Sequence, residues 1–245
     1  MLSLLMVMSA GVFAEPLLET GNLVENPRFL DPDGSYATET AARPAGWDYA
    51  AGNGELYSPT TLDGGGRYFW GGRSGAYDAI QQSIDLEENI NLDLVDAGLL
   101  TMNYAATMWS HSTDDSRFRV IQYDGQGNAL TGAYILGYVQ NSSPYRYEGS
   151  NIVVAGAREL LVLIESRRQA GTHNNGYTFD PEVTFALDDT TENRQTLGIS
   201  ENLSLQEAQT VAKQNVSLVV PIHGSLAAML LMSGVGIAAG RRKQE

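Results

Sequence analysis

Cysteine is absent from the 245 residues, and positive charge is scarce: 15 Lys and Arg stand against 29 Asp and Glu, for a net charge of −14. The first absence removes disulfides, thiolate metal sites and cysteine nucleophiles, so stability must come from a packed core. The second excludes a nucleic-acid-binding domain, which needs basic patches against phosphate. An acidic domain suits calcium, cationic partners or solubility outside the cell. Catalytic motifs are missing as well. There is no Gly-x-Ser-x-Gly elbow, no His-Glu-x-x-His zinc motif and no phosphate loop. Histidine is limited to His111, His173 and His223. The segment from Trp109 through His111 to Asp114 and Asp115 has hydrolase-like residue types, but without a spaced nucleophile it reads as a polar loop. The chain is therefore read as no enzyme. A weaker alternative is a polysaccharide hydrolase whose two carboxylates come from distant strands.

Between residues 17 and 188 a helical period is also lacking. What is present is glycine (26 in the chain) and a series of short β-prone runs at 47–50, 67–70, 80–86, 99–108, 118–123, 133–139, 160–165 and 183–187. Asp124-Gly125-Gln126-Gly127-Asn128 supplies a hairpin-type connection tolerant of positive φ. Leu160-Leu161-Val162-Leu163-Ile164 is apolar on both faces, which predicts a central strand. The pattern predicts an all-β chain with a single β-sandwich, a jelly roll, over 17–188. Trp47 is assigned to its core. Residues 189–215 turn polar and read as a stalk, in which Ser204-Leu205-Gln206-Glu207 is a capping box that starts a short helix to about residue 214.

Both ends are apolar. Residues 1–14 end in small residues, with Val12 and Ala14 where a signal peptidase prefers them, although no basic segment precedes them. Residues 216–245 begin with a run of about 25 residues whose only strongly polar side chain is His223, long enough for a transmembrane helix. Arg241, Arg242 and Lys243 follow directly and belong on the cytoplasmic side. The expected protein is exported, with its domain outside and its C-terminal helix in the membrane.

The tail resembles a variant of the PEP-CTERM class of bacterial sorting signals. Its features are Val220-Pro221, the small Ser225, a helix containing Gly234 and Gly236, and the basic end Arg241-Arg242-Lys243. Ile222 and His223 stand where the commonest form has Glu-Pro. His223-Gly224-Ser225 is also faintly similar to tails cut by rhomboid-type proteases. Both resemblances imply a membrane sorting protease as partner and delivery to the cell surface or extracellular matrix. A permanent anchor is the other meaning.

The domain resembles the galactose-binding-like jelly rolls of carbohydrate-binding modules. The resemblance is carried by Asn22-Leu23-Val24-Glu25-Asn26-Pro27-Arg28-Phe29 with Gly46-Trp47, by Gln81 to Leu86, and by Arg167 to Gly171 with Asn174-Asn175 and Phe179-Asp180-Pro181-Glu182-Val183. It implies a non-catalytic, glycan- or polysaccharide-binding β-sandwich. It further implies a structural Ca2+ joining the first strand to the last, with Glu25 and Asp180 as ligands; Asp31-Pro32-Asp33-Gly34 reads as a turn. The Asp180-Pro181-Glu182 sequence departs from the family's two adjacent acids. Sugar binding calls for aromatic platforms, here Tyr68, Trp70, Trp109, Tyr145 and Tyr147, and for planar polar partners, here Arg167, Asn174 and Asn175. The alternative is a structural surface or biofilm-matrix protein that binds no sugar.

Overall fold

A computed structural model describes residues 15–29, 44–52, 55–57, 67–73, 75–111 and 113–217. The expected signal segment 1–14, Asp31 and Asp33, and the tail features Val220, Pro221, Arg241, Arg242 and Lys243 lie outside the described residues. Within them no helix is long and apolar enough to cross a membrane.

In chain order the elements are β1 (Leu18–Glu19), β2 (Asp48–Ala51), β3 (Glu55–Tyr57), β4 (Tyr68–Trp70), β5 (Tyr77–Asp85), α1 (Leu86–Asn89), α2 (Leu92–Asp96), β6 (Thr101–Ser110), β7 (Asp115–Tyr123), β8 (Tyr134–Val139), β9 (Tyr145–Ile152), β10 (Glu159–Arg167), β11 (Gly176–Leu187), α3 (Thr191–Thr196) and α4 (Leu205–Ser217). Each of the eight expected runs contains or overlaps a strand. The strands form two antiparallel sheets, ordered β3-β4-β11-β6-β9 with β1 also on β11, and β2-β5-β10-β7-β8. The pairs β4/β5, β6/β7, β8/β9 and β10/β11 each contribute one strand to either sheet, so the chain is wound as ribbons around the sandwich. That winding is a jelly roll. β10 lies between β5 and β7, the central place its two-sided apolarity predicted.

The core follows the period-two rule of strands. Met102, Tyr104, Ala106 and Met108 of β6 point inward, against Phe118 and Val120 of β7, Leu160, Val162 and Ile164 of β10, and Val183, Phe185 and Leu187 of β11. Burying each large apolar side chain contributes about 2 kcal/mol before the entropy of ordering is counted. Trp47 is in this core, its ring centroid 5.5 Å from that of Phe29.

Residues beyond β11 pack on the sandwich. The predicted capping box forms, Ser204 Oγ donating to Glu207 at 2.7 Å. This holds the Glu207 carboxyl below its usual range. Ala208 and Ala212 of α4 are fully buried with Leu17, and Gln209 donates to the Pro16 carbonyl at 2.9 Å. Arg194 braces the turn between the helices through Asp189 (2.5 Å) and the Leu203 carbonyl (2.7 Å). The polar segment read as a stalk is therefore seated on the domain, beside the first strand.

Candidate functional site

Cross-strand partners share a sheet face. Since Met108, Ala106, Tyr104 and Met102 face the core, Trp109, Thr107, Ala105 and Asn103 face outward from β6. The same parity puts Tyr68 and Trp70 of β4, Tyr177, Glu182 and Thr184 of β11, and Arg146, Glu148 and Ser150 of β9 on that outer face. A one-residue bulge between Phe179 and Glu182 makes this possible. It switches the parity of β11, so Tyr177 and Glu182 point the same way. Asp180 sits in the bulge at φ 50.

One end of this face is aromatic. Trp70, Tyr177 and Trp109 are register partners on three adjacent strands. Their rings are nearly parallel, with Trp70 and Tyr177 centroids 6.5 Å apart and Trp109 and Tyr177 5.2 Å apart. Tyr68 meets Trp109 and Tyr177 edge-on, at 5.0 and 5.4 Å. His173 stacks on Trp70 at 6.2 Å, and Trp70 is only 6% exposed. Tyr177 lies between two indoles, so its faces are taken. Half-buried Trp109 ends the row toward β9.

Further along β6 the face becomes a polar groove of about 430 Å³, lined by Glu19, Asn103, Ala105, Glu148, Ser150, Glu182 and Thr184. Arg146 stands between groove and aromatic row. It donates to the Asp180 carbonyl at 2.6 Å and forms ion pairs with Glu182 and, at 3.6 Å, with Asp180. From Trp109 to Asn103 the face runs about 20 Å at the strand rise. It thus offers an aromatic end and a row of hydrogen-bonding side chains, the combination that sugar rings and hydroxyls need.

The loop from Arg167 to Asn175 is held from below. Asp114 accepts from the backbone N–H groups of Gln169 (2.8 Å) and Asn175 (2.9 Å). Asn174 is fully buried, donating to Asp78 (3.1 Å) and the Ser166 carbonyl (3.0 Å) and accepting from Ser166 Oγ (2.6 Å). Its amide has no group left for a ligand. Gly71 makes room for it, since a Cβ there would come within 2.3 Å of the Asn174 side chain. Arg167 pairs with Asp115 at 2.9 Å. Asn175 accepts from the Tyr177 hydroxyl at 3.2 Å and so steadies the row.

Of the sequence candidates, the structure brings Tyr68, Trp70 and Trp109 together, with Asn175 behind them. It does not bring Tyr145 and Tyr147 to the same place. As partners of Met108 and Ala106, these extend from the inward side of β9, opposite Arg146 and Glu148. Tyr147 packs against the core, while Tyr145 is 60% exposed.

Glu25 and Asp180 do not converge. Glu25 lies against Gly46 and Gln82, whereas Asp180 faces Arg146. Among the described residues no three His, Cys, Asp or Glu side chains are placed to hold a metal ion, and Glu25 and Asp180 do not form the shared ligand pair that the resemblance implies. The segment after β1 is tied to β11 by Asn22, which donates to the Pro181 carbonyl (3.1 Å) and accepts from Val183 N–H (3.0 Å). Sequence reasoning missed Tyr177, Glu19, Glu148 and Asn103 as members of the outer face.

No protein-family model and no curated protein matches the chain. Solved structures similar to it include the CBM22-1 xylan-binding domain from Paenibacillus barcinonensis Xyn10C, at 15% identity and TM-score 0.38, covering 73% of this chain and 98% of that one. The arabinose-bound MgGH51 α-L-arabinofuranosidase is similar at 12% identity and TM-score 0.45, over 78% of this chain and 29% of that one. The active domain of bacteriophage CBA120 tailspike protein 4 is similar at 15% identity and TM-score 0.40, over 58% of this chain; the match spans 19% of that chain.

Proposed function

We propose that the protein is a non-catalytic polysaccharide-binding domain and that its ligand lies along the outer face of the β4-β11-β6-β9 sheet. The observation carrying this reading is the continuity of that face, from the Trp70–Tyr177–Trp109 row to the groove at Asn103, Ser150 and Thr184. A non-catalytic role is supported by the groove's carboxylates. A glycosidase's general acid sits in an apolar pocket, but Glu19 and Glu148 are exposed and Glu182 is engaged by Arg146. Titration of the full-length chain against a panel of polysaccharides tests the reading. Binding weakened by Trp109→Ala is expected. No binding to any polysaccharide would overturn it and leave a structural surface or matrix protein.

The proposal extends to export. Residues 1–14 serve as a signal peptide, and residues 216–245 as a sorting or anchoring helix that enters the membrane. A membrane sorting protease then leaves the domain at the cell surface or in the matrix. The apolar ends and the basic Arg241-Arg242-Lys243 stop support this. The mass of the mature C-terminus tests it: trimming near Pro221 is expected of a sorting signal, and an intact Glu245 marks a permanent anchor.

A further inference from the structure

Taking the outer face as a polysaccharide site, we propose that its groove selects chains bearing protonated primary amines, the chemistry of a partly deacetylated hexosamine polymer. Two rows of register partners build the groove. The first is Glu182, Ala105 and Glu148; the second is Thr184, Asn103 and Ser150. Adjacent strands lie about 4.8 Å apart, so the backbones of Glu182 and Glu148 are about 10 Å apart with only the Ala105 methyl between them. An ammonium group resting over Ala105 is within reach of the Glu148 carboxylate, with Glu182, paired to Arg146, on its other side. The second row offers neutral donors and acceptors for the hydroxyls of the same sugar.

The charge lining the groove is one-sided. No Lys or Arg is among the residues lining the groove. Arg146, beside it, is already engaged by Glu182 and Asp180. Among the described residues Glu148 and Glu19 have no ion-pair partner. A chain carrying carboxylates or sulfates is repelled here, and an uncharged chain leaves these carboxylates without a counter-charge. A cationic chain supplies one. Its attraction is at the protein surface, so salt must weaken it.

The test uses the full-length chain and three soluble oligomers of equal length: β-1,4-linked glucosamine, its fully N-acetylated counterpart, and a uronic-acid oligomer. Binding is measured at low salt, at a pH where the amines are protonated. The glucosamine oligomer is expected to bind at least about tenfold tighter than the acetylated one, which is about 1.4 kcal/mol, and the uronic acid weakest. The preference shrinks with added salt and as pH rises through deprotonation of the amines. Glu148→Gln, at an exposed position, is expected to keep the melting temperature and to remove most of the preference for the glucosamine oligomer over the acetylated one. Equal binding of the amine-bearing and acetylated oligomers overturns the inference, as does a Glu148→Gln protein that keeps the full preference. Failure to bind these or any neutral polysaccharide overturns the polysaccharide reading itself.

Discussion

On the outer face of the β5-β10-β7 sheet, Glu165 is 2% exposed beneath its partners; on the outer face of the opposite sheet, Glu148 and Glu19 stand at a groove and have no ion-pair partner among the described residues. Glu165 accepts from Arg117 at 2.7 Å, pairs with Arg119 at 2.5 Å and accepts from the Tyr77 hydroxyl. The contrast is between charges that answer one another within the fold and charges left for something outside it. A buried carboxylate must be matched internally because its desolvation is costly, whereas a solvated one can wait for a ligand. The first face therefore stabilises, and the second is available to recognise.

Substitutions at the two faces break this comparison in different ways. The largest stability effect is expected at Glu165→Ala, which leaves two guanidinium groups facing each other over a void. A loss of about 3 kcal/mol is expected in denaturant unfolding, with polysaccharide affinity of the folded protein kept. Next is Trp109→Ala, expected to lower affinity about tenfold, or about 1.4 kcal/mol, in titration calorimetry. Its stability cost is smaller than that of a core tryptophan because the ring is half-buried.

A pH effect follows from Tyr77. Burial, then its hydrogen bond to Glu165, raises the Tyr77 hydroxyl above its ordinary value of 10.0. A group raised in the folded state adds stability that is complete below its unfolded pKa and is lost as pH rises through the folded one. The melting temperature should therefore fall more steeply above about pH 10 for the native chain than for Tyr77→Phe. The smallest effect is expected from a calcium chelator. Glu25 and Asp180 do not converge, so the melting temperature should stay unchanged, and a clear drop would reveal a metal site.

Much of the sandwich was legible because its central strands carry apolar residues that the core needs. β9 was not. Its sequence, Tyr145-Arg146-Tyr147-Glu148-Gly149-Ser150-Asn151-Ile152, belongs to an edge strand whose inward positions include a glycine and an asparagine, so it has no apolar stripe to read. The site was legible only in part. Tyr68, Trp70 and Trp109 are visible as aromatics, but their meeting with Tyr177 depends on the register of strands far apart in sequence. Glu182 was hidden by the bulge at Asp180. Without that extra residue, alternation from Tyr177 would turn Glu182 into the core. Asn174 shows the opposite error: a surface-type residue consumed by a buried hydrogen-bond network.

The most direct test places both faces in one experiment. Polysaccharide titrations of the native chain, Trp109→Ala and Arg117→Gln should show affinity lost with Trp109→Ala and unchanged with Arg117→Gln, while thermal melts show the larger loss for Arg117→Gln. Affinity that survives Trp109→Ala, or falls only with Arg117→Gln, would contradict the assignment of recognition to the aromatic face.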